Sequence, residues 1–393
     1  MSTRTHAPLA GLRVLDLSRL LPGPVATLHL ADLGADVVKI EDNGVGDYAR
    51  TMGAGPDGTS WFFRAVNRNK RGLTLDLKQD AGRAVLCRLV EDADVLVESF
   101  RPGVMDRLGV GYAALSAINP RLVYCAITGY GQDGPWALRA GHDLNYIAQS
   151  GVLEQTGSPG SGPAIPALQI GDLLGGAMSA VAAILAAVHQ AKGCGRGSFV
   201  DVAMADSVLA HNLFPLFALA ESGETAPCGA DMLTGGNANY GVYQTRDGRY
   251  LAVAPLEEKF WMLFCDAVGR PDLKARYDEA NTPTPQSALR SEVAALIAER
   301  TQAEWNSIFD GVDCCVTPVL TLAEALQHPQ FVSRGMSVKA DGMTQLAPPF
   351  RMSGWTFSVE RSAPAPGEHA DAILAEAGYT PDEIERLRQS RIV

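Results

Sequence analysis

The 393-residue sequence lacks the features that mark several common classes of protein. Only 20% of its residues are charged and 47% are hydrophobic, which is the reverse of the composition of disordered chains. The longest largely apolar run, Leu173 to Val188, is interrupted by Gly175 and Gly176 and is shorter than the ~20 residues that a membrane span needs. This run predicts a buried helix, and no membrane partner is expected.

Cysteine usage, motifs and charge exclude further classes. The 7 cysteines are odd in number and show no CxxC spacing, so neither a disulfide framework nor a zinc ribbon is indicated. Walker A, HExxH and GxSxG motifs and metal-ligand clusters are absent, and no metal site is predicted. The formal net charge of -11 argues against a nucleic-acid partner. Without a signal-like start or a peroxisomal ending at Arg391-Ile392-Val393, the expected location is cytoplasmic.

One stretch departs from this acidic balance. Residues 64–78 contain a single acid, Asp76, and five basic residues, which are Arg64, Arg68, Lys70, Arg71 and Lys78. Because one bound ligand responds to local charge rather than to net charge, the stretch is a candidate anion-binding surface. The alternative is an ordinary solvated charged face.

The first third of the chain predicts an α/β fold with a doubly wound, Rossmann-like parallel sheet. Short β-rich runs alternate there with helical patterns, as crossover connections require. The predicted strands are Arg13–Leu17, Val37–Glu41, Leu73–Leu77, Val95–Glu98 and Leu122–Thr128. An apolar stripe behind a possible Asp80 N-cap predicts a helix over Asp80–Glu91.

The rest of the chain mixes helical patterns with β-like runs, and its later part predicts a smaller α+β region. A loop rich in Gly, Ser and Pro covers residues 154–167, and Phe199–Val202 is β-like and leads into helix. Polar residues 221–236 are a candidate domain boundary. Tyr240–Gln244 and Tyr250–Ala254 around Asp247-Gly248 predict a β-hairpin. Pro364–Gly367 predicts a surface linker before a terminal helix.

The segment Gly129-Tyr130-Gly131-Gln132-Asp133-Gly134 matches GxGxxG after a predicted strand. In a dinucleotide site this motif opens a helix whose N-terminus holds the pyrophosphate. Here Pro135 follows at once and no amphipathic pattern begins, so a nicotinamide cofactor is not predicted.

Ionisable residues stand at three predicted helix starts: His142 with Asp143, then Asp172, then Glu257. Acids at such positions commonly only satisfy free N–H groups and the helix dipole. A helix start also stabilises an enolate or thioester oxyanion, so a converging acid, base and N–H donor suit proton transfer beside a carbonyl. Spacing along the sequence leaves both interpretations open.

Several collinear segments resemble the class III CoA-transferase (CaiB/BaiF) and α-methylacyl-CoA racemase superfamily. They are Pro8–Leu17, Leu21–Pro24, Leu33–Glu41, Asn67–Arg71, Phe100–Gly109, Thr128–Pro135 and Gly367–His369. Because these segments extend over nearly the whole chain, the sequence is identified as a member of that superfamily.

Four further segments bear on the reaction that this resemblance implies. Ala140–Tyr146 is similar to the racemase segment whose histidine is one of two Cα acid/bases. Gly171–Gly176 is similar to the segment whose aspartate is the second acid/base in racemases and the acyl-accepting nucleophile in transferases. Val253–Glu257 resembles the racemase segment whose glutamate partners the histidine, and Asp313–Val319 also resembles a racemase segment.

The resemblance thus implies racemisation of 2-methylacyl-CoA thioesters through an enolate. His142 and Asp172 would be the acid/bases, Glu257 would orient His142, and the helix start at Asp143 would hold the enolate oxygen. The alternatives are CoA transfer between carboxylic acids through an aspartyl-CoA intermediate on Asp172, and a CoA-ester-binding protein without catalysis. Leu168 stands where racemases carry Asn, and the loop 231–238 also departs from them, which leaves the acyl group open.

The resemblance also implies a substrate, a binding surface and an assembly. A coenzyme A thioester would be the substrate, with no prosthetic group, and its phosphates would lie near Arg68, Lys70, Arg71 and Arg107, with Lys39 close by. The chain would form an interlocked homodimer. Residues 1–195, completed by 330–393, would form the large domain, 196–224 the linker and 225–325 the small domain.

Overall fold

The computed structural model describes residues 7–53, 55, 58–284 and 287–393. Residues 1–6, which open the predicted large domain, lie outside the described residues. The strands are β1 Arg13–Asp16, β2 Asp36–Glu41, β3 Arg71–Thr74, β4 Val95–Glu98, β5 Val123–Thr128, β6 Gly157–Ser158, β7 Gly162–Pro163, β8 Phe199–Ala203, β9 Gly241–Gln244, β10 Tyr250–Val253, β11 Val316–Pro318, β12 Ser337–Ala340 and β13 Met343–Leu346.

The helices are of three kinds. The α-helices are α1 Pro22–Asp32, α2 Trp61–Asn67, α3 Asp80–Val90, α4 Val104–Arg107, α5 Tyr112–Ile118, α6 Asp143–Gln149, α7 Val152–Gln155, α8 Ser179–Cys194, α9 Met204–Ala210, α10 Leu213–Ser222, α11 Glu258–Ala267, α12 Tyr277–Ala280, α13 Ala288–Ile297, α14 Gln302–Phe309, α15 Leu322–Gln327, α16 Pro329–Ser333, α17 Ala370–Glu376 and α18 Pro381–Gln389. Within the described residues, Gly171–Met178 and Met232–Gly236 are π-helical. Tyr48–Thr51 and Pro271–Arg276 are 3₁₀-helical.

The chain divides into two compact units. The first takes the described residues up to Tyr146, then Leu168–Ala210 and Pro329–Val393, and the second takes Ile147–Ala167 and His211–His328. The stretch 196–224, predicted as a linker, contains β8, α9 and α10. The predicted domain bounds themselves stay a prediction.

A six-stranded sheet is the centre of the first unit. Its order is β3-β2-β1-β4-β5-β8 and every pair is parallel, with Val14 of β1 opposite Val37 on one side and Val95 on the other. The predicted α/β class with a parallel central sheet is therefore confirmed. The strand order reverses between β1 and β4, and in open parallel sheets a ligand crevice forms at such a reversal.

Side chains from alternate positions of the strands enter two separate cores. Leu15, Leu96 and Tyr124 pack in one core with residues of α3, α5, α17 and α18, and Val14, Val97 and Cys125 pack in the other with α1 and α8. Because both faces of the sheet are covered, its central strands contain apolar runs, such as Val95–Val97 and Val123–Ile127. This explains why the strands were recognisable in the sequence.

Two sequence-based boundaries are corrected. β3 covers Arg71–Thr74 instead of Leu73–Leu77, and the N–H of Asp76 donates to the carbonyl of Ile392, so the chain's end takes the place of a strand partner. Asp80 is the first residue of α3 and not its N-cap, a position that Gln79 holds. The carboxylate of Asp80 pairs with Arg83 one turn later.

The apolar run belongs to a helix that crosses the core. Among the described residues, one helix, 171–194, is long and apolar enough to span a membrane by length and composition. Its residues Ile184, Ala187, Val188 and Ala191 are buried against the sheet of the first unit. We therefore interpret it as a core helix, as the sequence predicted.

The second unit has its own sheet and core. The predicted hairpin is present, because β9 and β10 pair antiparallel with Leu251 opposite Tyr243, and β11 adds the third strand. Trp261, Phe264, Trp305 and Phe309 stack beneath this sheet with ring centroids 5.3–6.2 Å apart. The stacked aromatic side chains give this small unit a densely packed core.

Candidate active site

A cleft of about 710 Å³ lies at the carboxyl ends of the central strands. The segments that follow β1, β4 and β5 contribute Arg19 and Leu20, then Ser99 to Pro102, then Gly129. These are the strands on either side of the order reversal, so the cleft occupies the position expected for a ligand crevice. His142 and Asp172 line the same cleft.

His142 and Asp172 both stand where a helix begins. His142 directly precedes α6, its N–H donates to Asn145 Oδ1 at 3.0 Å, and its carbonyl accepts from the N–H of Asn145 at 2.8 Å. These bonds fix the backbone of His142 while its side chain stays exposed. Asp172 lies in the first turn of the π-helix Gly171–Met178, and such wide turns are frequent at functional sites.

The side chain of Asp143 joins these two helix starts. Its Oδ1 accepts a hydrogen bond from the backbone N–H of Asp172 at 3.0 Å. A Cβ at Gly171 would lie only 3.1 Å from that oxygen, so the glycine allows the close approach. The structure thus brings together three of the four predicted catalytic residues.

The surroundings of the Asp172 carboxyl raise its pKa. Burial raises its pKa to about 6, the negative charge of Asp143 acts in the same direction, and His142 opposes both. A group with a pKa close to the working pH serves well as both acid and base. Burial, followed by the charge of Asp172, also raises the pKa of the Tyr146 phenol.

Tyr146 also lines the cleft, and the sequence motifs did not assign it a role. Its hydroxyl donates to the carbonyl of Gly141 at 2.6 Å. A Cβ at Gly129 would meet the Tyr146 ring at 2.4 Å, so this glycine of the GxGxxG match makes room for an aromatic ring. No helix begins within the described residues 129–134, in agreement with the rejection of a dinucleotide site. The spacing of four residues from His142 to Tyr146 was the available signal.

Lys39 and Lys70, predicted near the CoA phosphates, are fully buried in ion pairs. Lys39 Nζ lies 2.8 Å from Asp47 Oδ2, and Lys70 Nζ lies 3.0 Å from Asp16 Oδ2, with all four side chains 0% exposed. Burial by itself raises the pKa of Asp16, yet Lys70 and Lys39 hold it far below the usual range. Both lysines therefore neutralise buried carboxylates in the interior of the first unit.

Arg68 and Arg71 are also paired inside the protein. Arg68 lies 2.6 Å from Asp32, and Arg71 lies 2.6 Å from Asp36 and 2.9 Å from Glu376. A phosphate at Arg68 would have to displace the buried carboxylate of Asp32, and one at Arg71 would have to displace the partly exposed carboxylates of Asp36 and Glu376. The phosphate contacts of these four residues stay a prediction, and each would require an existing ion pair to break. Arg68, Lys70 and Arg71 are buried and form no solvated face, whereas Lys78 is exposed.

Other arginines are open to a ligand. Arg101 and Arg139 line the cleft, are exposed, and have no ion pair among the described residues. The guanidinium of Arg139 lies 4.0 Å from the centre of the Trp136 ring, which holds it in place. Arg107 is exposed on α4, and its phosphate role stays a prediction.

Glu257 belongs to the second unit. It stands at the N-cap position of α11, is exposed, and makes no side-chain capping bond. After burial, its charge is the next contribution that raises the pKa of the Cys315 thiol. The predicted pairing of Glu257 with His142 stays a prediction.

Fold and site together define an α/β protein with a ligand cleft at the switch point of a parallel sheet. A model of CoA-transferase family III matches residues 9–370, and the chain belongs to this family. The chain is 35% identical to the alpha-methylacyl-CoA racemase of Homo sapiens over 387 residues, covering 98% of this chain and 97% of that protein. It is also 35% identical to the acetyl-CoA:oxalate CoA-transferase of Acetobacter aceti, covering 95% and 96%.

Solved structures agree with this assignment. A CAIB/BAIF family protein from Brucella suis superposes with a TM-score of 0.82 at 32% identity, covering 95% of this chain and all of that one. The resemblance drawn from the sequence motifs is thereby confirmed. Members of the family are enzymes, and both racemases, at 35–36% identity, and CoA-transferases, at 30–35%, are similar to this chain.

Proposed function

We propose that this protein is a racemase or epimerase of 2-methylacyl-CoA thioesters. The observation that carries the proposal is the joint presence of His142 and Asp172 at two linked helix starts in one cleft. Racemisation needs two groups that each hold or release a proton, one for each face of the α-carbon. The raised pKa of Asp172 suits it to share that task with an imidazole.

In the proposed reaction the thioester carbonyl acidifies the α-hydrogen. One of His142 and Asp172 removes this proton and leaves an enolate, and the other returns a proton to the opposite face. The backbone N–H groups at the start of α6, around Asp143, would donate to the enolate oxygen, and one such donor is typically worth ~3 kcal/mol. Charge and atoms balance with no group beyond the chain and its substrate.

Binding and assembly complete the proposal. Arg101 and Arg139 in the cleft, with Arg107 on α4, supply the cations for the CoA phosphates. Glu257, from the same chain or from the partner in an interlocked homodimer, would orient His142 and stabilise its charged form. The expected substrate is a CoA thioester without a prosthetic group.

CoA transfer between carboxylic acids is the second candidate. Two observations favour it: the relative named as an oxalate CoA-transferase is as similar as the racemases, and Leu168 stands where racemases carry Asn. In that reaction the Asp172 carboxylate would attack the acyl carbon, release CoA thiolate and form an anhydride. The thiolate would then attack the aspartyl carbonyl of the anhydride, release the first acid as its carboxylate and leave an aspartyl-CoA thioester. The acceptor carboxylate would attack this thioester to form a second anhydride, and the released thiolate would attack the acceptor's carbonyl, giving the new CoA thioester and free Asp172.

Chiral analysis of a single 2-methylacyl-CoA enantiomer tests the proposal. We expect the wild-type protein to convert it to the racemate, and we expect His142→Gln to abolish conversion. Asp133→Asn, an exposed acid on the turn 129–134, is the matched control and should convert normally. No conversion by wild type, with CoA passed to added oxalate and a thioester adduct on Asp172, would replace the racemase by the transferase.

A further inference from the structure

Arg19 and Leu20 line the cleft, and they belong to residues 17–21, which connect β1 to α1. Hydrogen bonds to side chains fix the backbone of this connection. The N–H of Ser18 donates to Asp16 Oδ1 at 3.0 Å, and that of Arg19 to Ser99 Oγ at 3.1 Å. The N–H of Leu20 donates to Asp47 Oδ1 at 3.0 Å. All three of these amides are therefore satisfied by side-chain acceptors.

Leu20 has an unusual conformation within the connection from β1 to α1. Its φ is 64°, in the left-handed region that branched side chains rarely adopt. It lines the cleft beside Arg19 and Pro22. Such a conformation persists only where the surroundings fix it, and it is often found at ligand sites.

Asp47 is the group that fixes it. This residue is 1% exposed and does not line the cleft. Its Oδ1 accepts from the N–H groups of Leu20 and, at 2.9 Å, Ala49, and its Oδ2 accepts from Lys39 Nζ at 2.8 Å. Its own N–H donates to Glu41 Oε2 at 3.0 Å. The buried ion pair with Lys39 fixes the Asp47 carboxylate, and the hydrogen bond that its Oδ1 accepts in turn fixes the backbone of Leu20.

We propose that Asp47 is a positioning residue of the coenzyme A cleft: it holds Leu20 in the left-handed conformation and so presents Leu20 and Arg19 to the ligand. The inference rests on the proposed function to the extent that the cleft takes a CoA compound. A connection that is ordered before binding spares the ligand the cost of ordering it. Asp47 thus acts on affinity without touching the ligand.

The test compares two backgrounds that differ only in the acceptor for Leu20. Lys39→Met/Asp47→Asn keeps an oxygen for the Leu20 N–H, and Lys39→Met/Asp47→Leu removes it. Both lack the buried ammonium, so neither leaves an unpaired buried charge. The dissociation constant of free coenzyme A, measured by calorimetry, is the readout, and thermal unfolding verifies that both variants are folded.

We expect coenzyme A to bind about 5- to 30-fold more weakly to the leucine background, the factor that corresponds to the cost of a left-handed residue. Replacing Leu20 in the leucine background distinguishes the effect of its backbone conformation from the effect of its side-chain contact with the ligand. Leu20→Gly and Leu20→Ala both remove the side chain, yet only glycine adopts a positive φ at no steric cost. Glycine should therefore bind coenzyme A more tightly than alanine there, and the two should bind alike in the asparagine background.

Equal affinities of the two backgrounds, or no preference for glycine over alanine in the leucine background, would overturn the proposal. If the leucine background does not fold, Lys39→Met/Asp47→Ala removes the same acceptor with a smaller side chain and undergoes the same comparison. Failure of the premise that the cleft takes a CoA compound gives a different result. In that case the wild-type protein itself does not bind coenzyme A, whereas a transferase in place of a racemase would still bind it and leave this test unchanged.

Discussion

The first unit contains two sets of basic side chains that differ in burial and in ion pairing. Lys39, Lys70, Arg68 and Arg71 are buried and each is paired with a carboxylate. Arg101 and Arg139 face the cleft without an ion pair among the described residues. The first set contributes to holding the strands and loops of the sheet together, and the second is available to a ligand.

The comparison shows that a count of charges along a segment does not reveal whether its basic residues are free to bind a ligand. Residues 64–78 looked like an anion-binding surface because their acids are distant in sequence. In the folded unit Asp16, Asp32 and Asp36 come from β1, α1 and β2 to pair with them. A basic stretch that lies next to buried strands is therefore as consistent with internal ion pairs as with a ligand site.

Replacing the proposed acid/bases of the cleft should give the largest effect and should not destabilise the protein. We expect His142→Gln and Asp172→Asn each to slow racemisation by about 10²- to 10⁴-fold, since each removes a general acid or base. Chiral separation of the product, with urea unfolding alongside, checks this. Normal racemisation by either variant would remove that residue from the mechanism.

Replacing a buried cation should show the opposite pattern. We expect Lys70→Met to lower the free energy of unfolding by about 3–5 kcal/mol, because Asp16 is left charged and unpaired inside the unit. Lys78→Met, an exposed lysine of the same stretch, is the matched control and should change little. The urea midpoint is the measurement, and equal midpoints for the two variants would contradict the distinction.

The open arginines should affect affinity alone. Arg101→Gln and Arg139→Gln should each weaken coenzyme A binding by about tenfold or more, since a hydrogen bond to a charged group is worth ~1.5–3 kcal/mol. Binding should also become less sensitive to salt, because fewer charge contacts remain. Titrations of coenzyme A at two ionic strengths test this. Unchanged affinity would show that neither arginine binds the phosphates of coenzyme A.

A small pH effect on stability should accompany the raised pKa of Asp172. The folded-state pKa of about 6 lies above the unfolded value of 3.8, so folding binds protons between these values and stability falls as pH rises through them. An asparagine at position 172 does not ionise, so it has no charge whose burial would cost stability at higher pH. We therefore expect Asp172→Asn to be more stable than wild type by ~1–2 kcal/mol above that window and equally stable below it. Urea unfolding at both pH values checks the sign.

Much of the fold and part of the site could be predicted from the sequence. Strands buried on both faces leave continuous apolar runs, and the motif around His142 and the one around Asp172 mark helix starts. The ion pair of Lys70 could not be foreseen, because Asp16 is 54 residues away and the folding of the sheet brings the two together. The pair of Lys39 with Asp47, 8 residues away, depends on how the chain turns after β2. The link between Asp143 and Asp172, and the left-handed Leu20, likewise depend on tertiary contacts.

Deuterium exchange tests the central claim most directly, because it follows the α-carbon itself. A single enantiomer of a 2-methylacyl-CoA is incubated with the protein in D₂O and followed by NMR and chiral separation. The account predicts that deuterium enters the α-position as the opposite enantiomer forms, and that Asp172→Asn suppresses formation of the opposite enantiomer, because each face of the α-carbon needs its own acid/base. Retention of the α-hydrogen and of the original configuration with the wild-type protein, while coenzyme A still binds in the cleft, would contradict it.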